Sequence, residues 1–264
     1  MEFIHRVDVV YIASPHETHG DYCRQMLQAG KHVLCEKPLC FSKTEAEELF
    51  ALAERQRCIL MEGIKTAYCP GFIKLLEVVQ SGVIGELCNI ETCFTKLENS
   101  NSRELTDIKY GGSFTELGSY VILPIIKLFG SDWEDIRFDS ICANNGLDIF
   151  TKVFFRYKEE MAVGSCGLGV KSEGQMIVSG TKGYVIVQAP WWKTQNFQVC
   201  HENPNEVECY SVEFIGDGLR YELTAFLEAI QNGKSEFDEQ MKKNSVAMAG
   251  IEELFLNQRF GLQR

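Results

Sequence analysis

The chain has 264 residues, a formal net charge of −11 and 45% apolar residues, which suits one large domain or two moderate ones with a real core. No apolar run reaches the roughly 18 residues a membrane span needs. The excess of carboxylates disfavours nucleic-acid partners, whose phosphates must be neutralised by Lys and Arg.

Eleven cysteines contain no Cys-x-x-Cys pair, and most sit inside apolar runs, as small hydrophobes do. The odd count and the strand-and-helix pattern point to reduced thiols and a cytoplasmic location. The N-terminus lacks a basic stretch followed by an apolar one, so a secretory signal is not expected.

In chain order, Val7–Ala13, His32–Cys35 and Ile59–Met61 read as short parallel strands covered on both faces by helices. Thr18 stands at an N-cap position ahead of Tyr22, Cys23, Met26 and Leu27, and Gly30 supplies a left-handed stop. Ser42-Lys43-Thr44-Glu45 is a capping-box pattern opening a helix with Ala46, Leu49, Phe50 and Ala53 on one face. Each strand ends in polar residues: Ser14-Pro15-His16 with His19, then Glu36-Lys37-Pro38, then Glu62 with Lys65. Ligands of open parallel sheets bind outside the carboxyl ends of the strands, so one rim is expected to gather these clusters.

A self-sufficient dinucleotide domain opens with a strand, a Gly-x-Gly-x-x-Gly turn and a helix. This sequence begins at Met1-Glu2-Phe3 just ahead of a strand, and residues 1–66 read as the C-terminal half of such a domain. A truncated gene and a natural short form both fit that reading. Gly164–Gly169 has the wrong spacing for the turn and reads as small residues at a tight approach.

Residues 67–264 read as a second, α+β domain. Phe72, Leu75, Leu76 and Val79 mark a helix closed by Gly82, and Leu87–Thr95 a long strand. The polar stretch 96–109 reads as a mobile loop. After Tyr110-Gly111-Gly112-Ser113 a helix carries Glu116 and Tyr120 on one face, with Pro124 expected to kink it at Tyr120. Strands follow at Ile136–Cys142, Ile149–Tyr157, Met161–Leu168, Gln175–Ser179, Tyr184–Gln188, Phe197–His201 and Val207–Phe214, with a hairpin turn at Gly180–Gly183. Two amphipathic helices finish the chain and are expected on one face of this sheet, and a second copy of the chain is the expected cover of the other. The fold class is thus α/β: a partial doubly wound, Rossmann-like parallel sheet, then a large, mostly antiparallel sheet.

The blocks Ser14–His19, Ala29-Gly30-Lys31-His32-Val33, Glu36-Lys37-Pro38, Ser81–Gly85, 110–120 and Gly180–Gly183 resemble, in this order, the Gfo/Idh/MocA oxidoreductases, in the glucose–fructose oxidoreductase and dihydrodiol dehydrogenase branch. The resemblance covers essentially the whole chain. It implies hydride transfer between NAD or NADP and a carbinol or carbonyl carbon of a sugar, polyol or cyclic diol. It implies that Lys37 stabilises charge on the substrate oxygen and that Tyr120 is the acid/base, its pKa lowered by an adjacent cation. Glu116 would be the supporting carboxylate, in place of the family's usual aspartate. Ser14, Pro15, His16, His19, Glu36 and Lys37 would line the cofactor side, and Lys37, Lys65 and Tyr120 the substrate side. Tyr110 departs from the family's usual third glycine. His16-x-x-His19 is not read as a metal pair, for want of further ligands. Because the glycine-rich turn lies outside the sequence, a second expectation stands beside the enzyme: a non-catalytic relative serving as a subunit or small-molecule binding module.

Overall fold

The computed structural model describes residues 4–233 and 235–261. It divides into two compact units: one holds the chain up to Ile64 and from Arg220 onward, the other Lys65–Leu219.

The first unit opens with β1 (Val9–Ile12), α1 (His19–Gln28), β2 (His32–Glu36), α2 (Lys43–Arg55) and β3 (Leu60–Gly63). The strands are parallel and ordered β1-β2-β3. Ile12 pairs with Cys35 and Cys35 with Glu62, so the three carboxyl ends finish level. The expected helix faces are buried except for Tyr22, which is exposed: Cys23, Met26 and Leu27 of α1, and Ala46, Leu49, Phe50 and Ala53 of α2, pack with Val33, Cys35 and Leu60. Gly30 takes the predicted positive φ, +72°.

Three local expectations change. β1 is an edge strand with Val9 and Tyr11 exposed, so it is not covered on both faces. Thr18 precedes α1 without capping it, because its hydroxyl donates to the Pro15 carbonyl at 2.7 Å. Ser42 makes no side-chain cap bond, and Glu45 turns to Arg24 on α1 at 3.7 Å. An opposite charge on the neighbouring helix draws the carboxylate away from the backbone.

The second unit begins with α3 (Lys65–Tyr68) and α4 (Pro70–Gln80), followed by β4 (Leu87–Thr95), α5 (Arg103–Thr106) and α6 (Ser113–Phe129). The stretch expected as a mobile loop thus contains a helical turn, and Asp107 organises it. Its carboxylate accepts from the Lys109 and Tyr110 N–H groups and from Arg103. α6 continues through Pro124 to Phe129, with Leu117, Val121, Ile122 and Ile125 buried. Strands β5 (Asp135–Cys142), β6 (Asp148–Arg156), β7 (Met161–Gly167), β8 (Met176–Gly180), β9 (Gly183–Val187), β10 (Asn196–His201) and β11 (Val207–Ser211) match the predicted runs. The eight-stranded sheet is ordered β11-β10-β9-β8-β4-β7-β6-β5, antiparallel except for the β4–β7 pair. Gly180 pairs with Gly183 across the predicted hairpin.

α6 lies against β7, β4 and β6. Gly164 permits this approach: a Cβ there would stand 3.0 Å from Val121 Cγ2 and from Val153 Cγ1. The sheet also carries a groove of about 430 Å³ lined by Phe150, Phe154, Val163 and Ile177 among others.

The last two helices, α7 (Leu219–Asn232) and α8 (Glu236–Arg259), depart from expectation. They belong to the first unit, so the division into 1–66 and 67–264 is amended at its far end. α8 packs on α2 and β3, burying Met241, Met248, Ile251 and Phe255. Charge fixes it there: the Glu253 carboxylate accepts from Lys43 N at 3.2 Å, and Lys242 pairs with Glu54. A complete capping box, Ser235 with Asp238, starts the helix. Among the described residues, no helix is long and apolar enough to cross a membrane.

Candidate active site

The polar strand ends of the first unit lie at one rim. Ser14 and Pro15 follow β1, Glu36 ends β2 with Lys37 next, and Glu62 is the penultimate residue of β3. His19 joins the first two turns from inside. Its ring is fully buried, with Nδ1 2.8 Å from the Pro38 carbonyl oxygen and Nε2 2.9 Å from that of Ser14. Those contacts occupy both ring nitrogens, so His19 braces the rim from within. The His16 ring stands edge-on to His19 at 5.6 Å and to Phe41 at 6.5 Å. Glu36 accepts from the Tyr11 hydroxyl, and burial together with that carboxylate pushes the Tyr11 hydroxyl above its usual range.

Lys37 is only 7% exposed. A buried ammonium costs solvation, and one held at a strand-end rim is a functional candidate with a physical reason. Behind it lies Glu62, 3% exposed, whose Oε1 accepts from the Leu39 N–H at 2.9 Å. Burial pushes Glu62 up to about 7, against the opposite pull of the Ser245 hydroxyl, the Leu39 N–H and the Lys37 charge.

In the second unit, Asp148 sets the start of α6. Its Oδ2 accepts from Phe114 N and Thr151 Oγ1, each at 2.8 Å, and the Ser113 hydroxyl donates to its carbonyl at 3.0 Å. A carboxylate at a helix N-terminus also meets the positive end of the dipole. The preceding turn requires glycine: a Cβ at Gly111 would lie 2.7 Å from the Asp107 and Glu104 carbonyl oxygens, and Gly112 has φ +113°. With α6 so fixed, Glu116 and Tyr120 are both half-buried, and the Glu116 charge acts on Lys96.

Tyr120 stands edge-on to Phe94 at 5.1 Å, and Phe94 stacks on Trp192 at 3.7 Å and 10°. Trp191, fully buried, donates its Nε1–H to the Cys93 carbonyl at 2.9 Å. Of the adjacent tryptophans, then, Trp191 is core and Trp192 half-exposed wall. Lys65 opens α3, where the Thr66 hydroxyl donates to the Trp192 carbonyl at 2.8 Å, and its charge also reaches Asp217.

Ser14, Pro15, His16, His19, Glu36 and Lys37 are therefore gathered in one unit, and Glu116, Tyr120 and Lys65 belong to the other. Sequence reasoning missed Phe94 as the neighbour of Tyr120 and Trp192 as the neighbour of Phe94. Phe94 carried only an ordinary strand signal, and its contact with Trp192 spans nearly a hundred residues.

The rim sets the Lys37 ammonium among the Glu36 and Glu62 carboxylates, the His16 imidazole, the Ser14 hydroxyl and backbone carbonyls, hydrogen-bonding groups of the kind that suit the neutral amide end of a nicotinamide cofactor. The sequence holds no Gly-x-Gly-x-x-Gly turn to cradle a pyrophosphate.

A parallel rim bearing a buried lysine is thus followed by a larger, mostly antiparallel sheet with a tyrosine-bearing helix. Residues 2–64 match the family model described as "Oxidoreductase family, NAD-binding Rossmann fold" (GFO_IDH_MocA). The trans-1,2-dihydrobenzene-1,2-diol dehydrogenase of Danio rerio is 25% identical over 256 residues, covering 93% of this chain and 75% of that protein. The scyllo-inositol 2-dehydrogenase (NADP(+)) IolU of Bacillus subtilis is 25% identical over 256 residues, covering 93% and 76%. In fold, the chain is similar to KijD10, a 3-ketoreductase from Actinomadura kijaniata crystallised with NADP and TDP-benzene. That match has a TM-score of 0.79 at 22% identity, over 96% of this chain and 79% of that one. The chain is thus similar to Gfo/Idh/MocA oxidoreductases over nearly its whole length, with the family model itself matching its first quarter.

Proposed function

We propose that the chain takes part in hydride transfer between NAD or NADP and a carbinol or carbonyl carbon of a ring-shaped polar substrate: a cyclic diol, an inositol or a sugar. The observation that carries this is Lys37, an ammonium kept almost entirely from water at the strand-end rim. Ser14, Pro15, His16, Glu36 and Lys37 would hold the nicotinamide end of the cofactor, with His19 bracing their two turns. When bound, the nicotinamide supplies or accepts the hydride.

The chain's own residues do the rest. Lys37 donates a hydrogen bond to the substrate oxygen and stabilises negative charge as it grows there. Tyr120 holds the proton that this oxygen gains or loses. Glu116, one helical turn earlier on the same face, supports Tyr120 electrostatically, and Lys65 contacts polar groups of the substrate. Phe94 and Trp192 give the Tyr120 side a flat apolar wall, which suits the face of a ring better than an open chain.

A second copy of the chain is proposed as the cover of the groove lined by Phe150, Phe154, Val163 and Ile177. A cytoplasmic location accords with the cysteines, all of which are free thiols. The activity is tested by titrating NADPH and NADH into the protein and following nicotinamide fluorescence, then supplying cyclic diols and inositols with the oxidised cofactor. Saturable enhancement and substrate-dependent reduction are expected. No enhancement at millimolar cofactor contradicts the proposal.

A further inference from the structure

We infer that Glu62 is a positioning residue for Lys37: a buried carboxyl that holds the Lys37-Pro38-Leu39 turn through the Leu39 N–H and sets how much of the Lys37 charge is free to act. This rests on the role proposed above for Lys37. The placement is the first ground. β3 is in register with β2 so that Glu62 lies opposite Cys35, two residues before Lys37. The backbone N–H two residues beyond Lys37 donates to Glu62 Oε1 at 2.9 Å. One carboxyl thus touches the turn on its far side and acts electrostatically on the lysine at its near side.

The second ground is an atom the fold leaves unserved. Glu62 is 3% exposed, yet its Oε2 makes no hydrogen bond of ordinary length among the described residues. The Ser245 hydroxyl of α8 faces the carboxyl and favours its ionised form. A purely structural acceptor for the Leu39 N–H needs one oxygen and no charge. A carboxyl with a buried, unserved oxygen beside an ammonium is an expensive way to build such an acceptor, unless its charge is used.

Every neighbouring element offers groups to this carboxyl. From β2 come the Cys35 thiol and the Glu36 carboxylate, and from the residue after it the Lys37 ammonium. The following turn offers the Cys40 thiol, and α8 offers Ser245. From α7, Glu222 lies beside Gly63, its Oε2 3.5 Å from where a Gly63 Cβ would stand. Burial holds both thiols neutral, so Lys37 is the one cation in this set, and the Glu36 charge opposes ionisation. Glu62 is protonated on the acid side of neutrality and ionised on the alkaline side. Ionised, Glu62 takes a share of the Lys37 charge and weakens its hold on a substrate oxygen; neutral, it takes none.

The Leu39 amide proton reports the state of Glu62 directly, because it donates to Oε1. In 15N-labelled protein its shift is followed from pH 5 to 9 in the wild type, Glu62→Gln, Lys37→Met and Lys37→Arg. The wild type is expected to titrate once, near neutrality, and Glu62→Gln to stay flat. Lys37→Met should raise the midpoint by about one unit through loss of the cation, while Lys37→Arg leaves it near the wild type. A flat wild-type profile, or an unmoved midpoint in Lys37→Met, overturns the inference. In turnover, the wild-type kcat profile should carry a limb at the same midpoint that is missing in Glu62→Gln, whereas a merely structural role lowers the rate equally at every pH and overturns it. Coupled titration without any hydride transfer contradicts the proposed activity alone. Transfer without coupled titration contradicts this inference alone.

Discussion

Removing the Asp148 carboxylate tests whether the start of α6 is held from β6. Its Oδ2 accepts the Phe114 N–H and the Thr151 hydroxyl, both at 2.8 Å and both buried. In Asp148→Ala the helix loses a capping acceptor, which costs about 1 kcal/mol. The buried Thr151 hydroxyl loses its carboxylate acceptor, about 1–3 kcal/mol more, and the favourable charge at the helix N-terminus goes as well. The expected total is about 3 kcal/mol. Asp148→Asn keeps an acceptor oxygen and loses only charge, so it should cost about 1 kcal/mol. Urea unfolding followed by tryptophan fluorescence reads the right unit, because Trp133, Trp191 and Trp192 all lie within Lys65–Leu219. A loss below about 1 kcal/mol for Asp148→Ala, or equal losses for the two variants, refutes the reasoning.

Three further outcomes follow from the same geometry. Glu62 has a folded-state pKa raised from 4.5 to about 7, so the native state binds the extra proton and this carboxyl withdraws stability as pH rises from 4.5 through 7. Two and a half units amount to about 3 kcal/mol. Glu62→Gln should therefore match the wild type near pH 4.5 and exceed it by up to ~3 kcal/mol at pH 8, read by hydrogen exchange of buried β2 and β3 amides at matched pH; a less stable variant at pH 8 contradicts the assignment. Gly164→Ala forces a Cβ to within 3.0 Å of Val121 and Val153 and should destabilise the second unit by about 1–3 kcal/mol in the same fluorescence assay. Lys37→Met and Tyr120→Phe should each lower kcat at least about a hundredfold while circular dichroism stays that of the wild type; wild-type turnover in either removes that residue from the proposed chemistry.

The fold was legible where periodicity met punctuation. The Val33–Leu60 ladder, the α2 face and the Gly180–Gly183 hairpin follow from apolar spacing and glycine placement. What escaped depends on partners distant in sequence. α8 reads as an amphipathic helix either way, and nothing local says that its buried face covers β3 while Glu253 reaches Lys43, 210 residues earlier. The Ser42 capping box failed for the same reason, since Arg24 on another helix competes for Glu45. At the rim, the residue types around Lys37 and His19 were readable, but the bracing role of His19 was not, because its ring contacts are to backbone carbonyls that carry no residue identity. The aromatic wall beside Tyr120 joins β4 to Trp192 across the sheet and left no trace in spacing.

The central claim is that this chain moves a hydride at the Lys37 rim, and isotope transfer tests it most directly. The protein is incubated with NADPH or NADH deuterated at both C4 positions of the nicotinamide and with cyclic ketones related to inositols and dihydrodiols. The product alcohol is then examined by mass spectrometry. The account predicts one deuterium on the new carbinol carbon with the wild type and none with Lys37→Met. Product without deuterium, or no product from either deuterated cofactor across the panel, contradicts it.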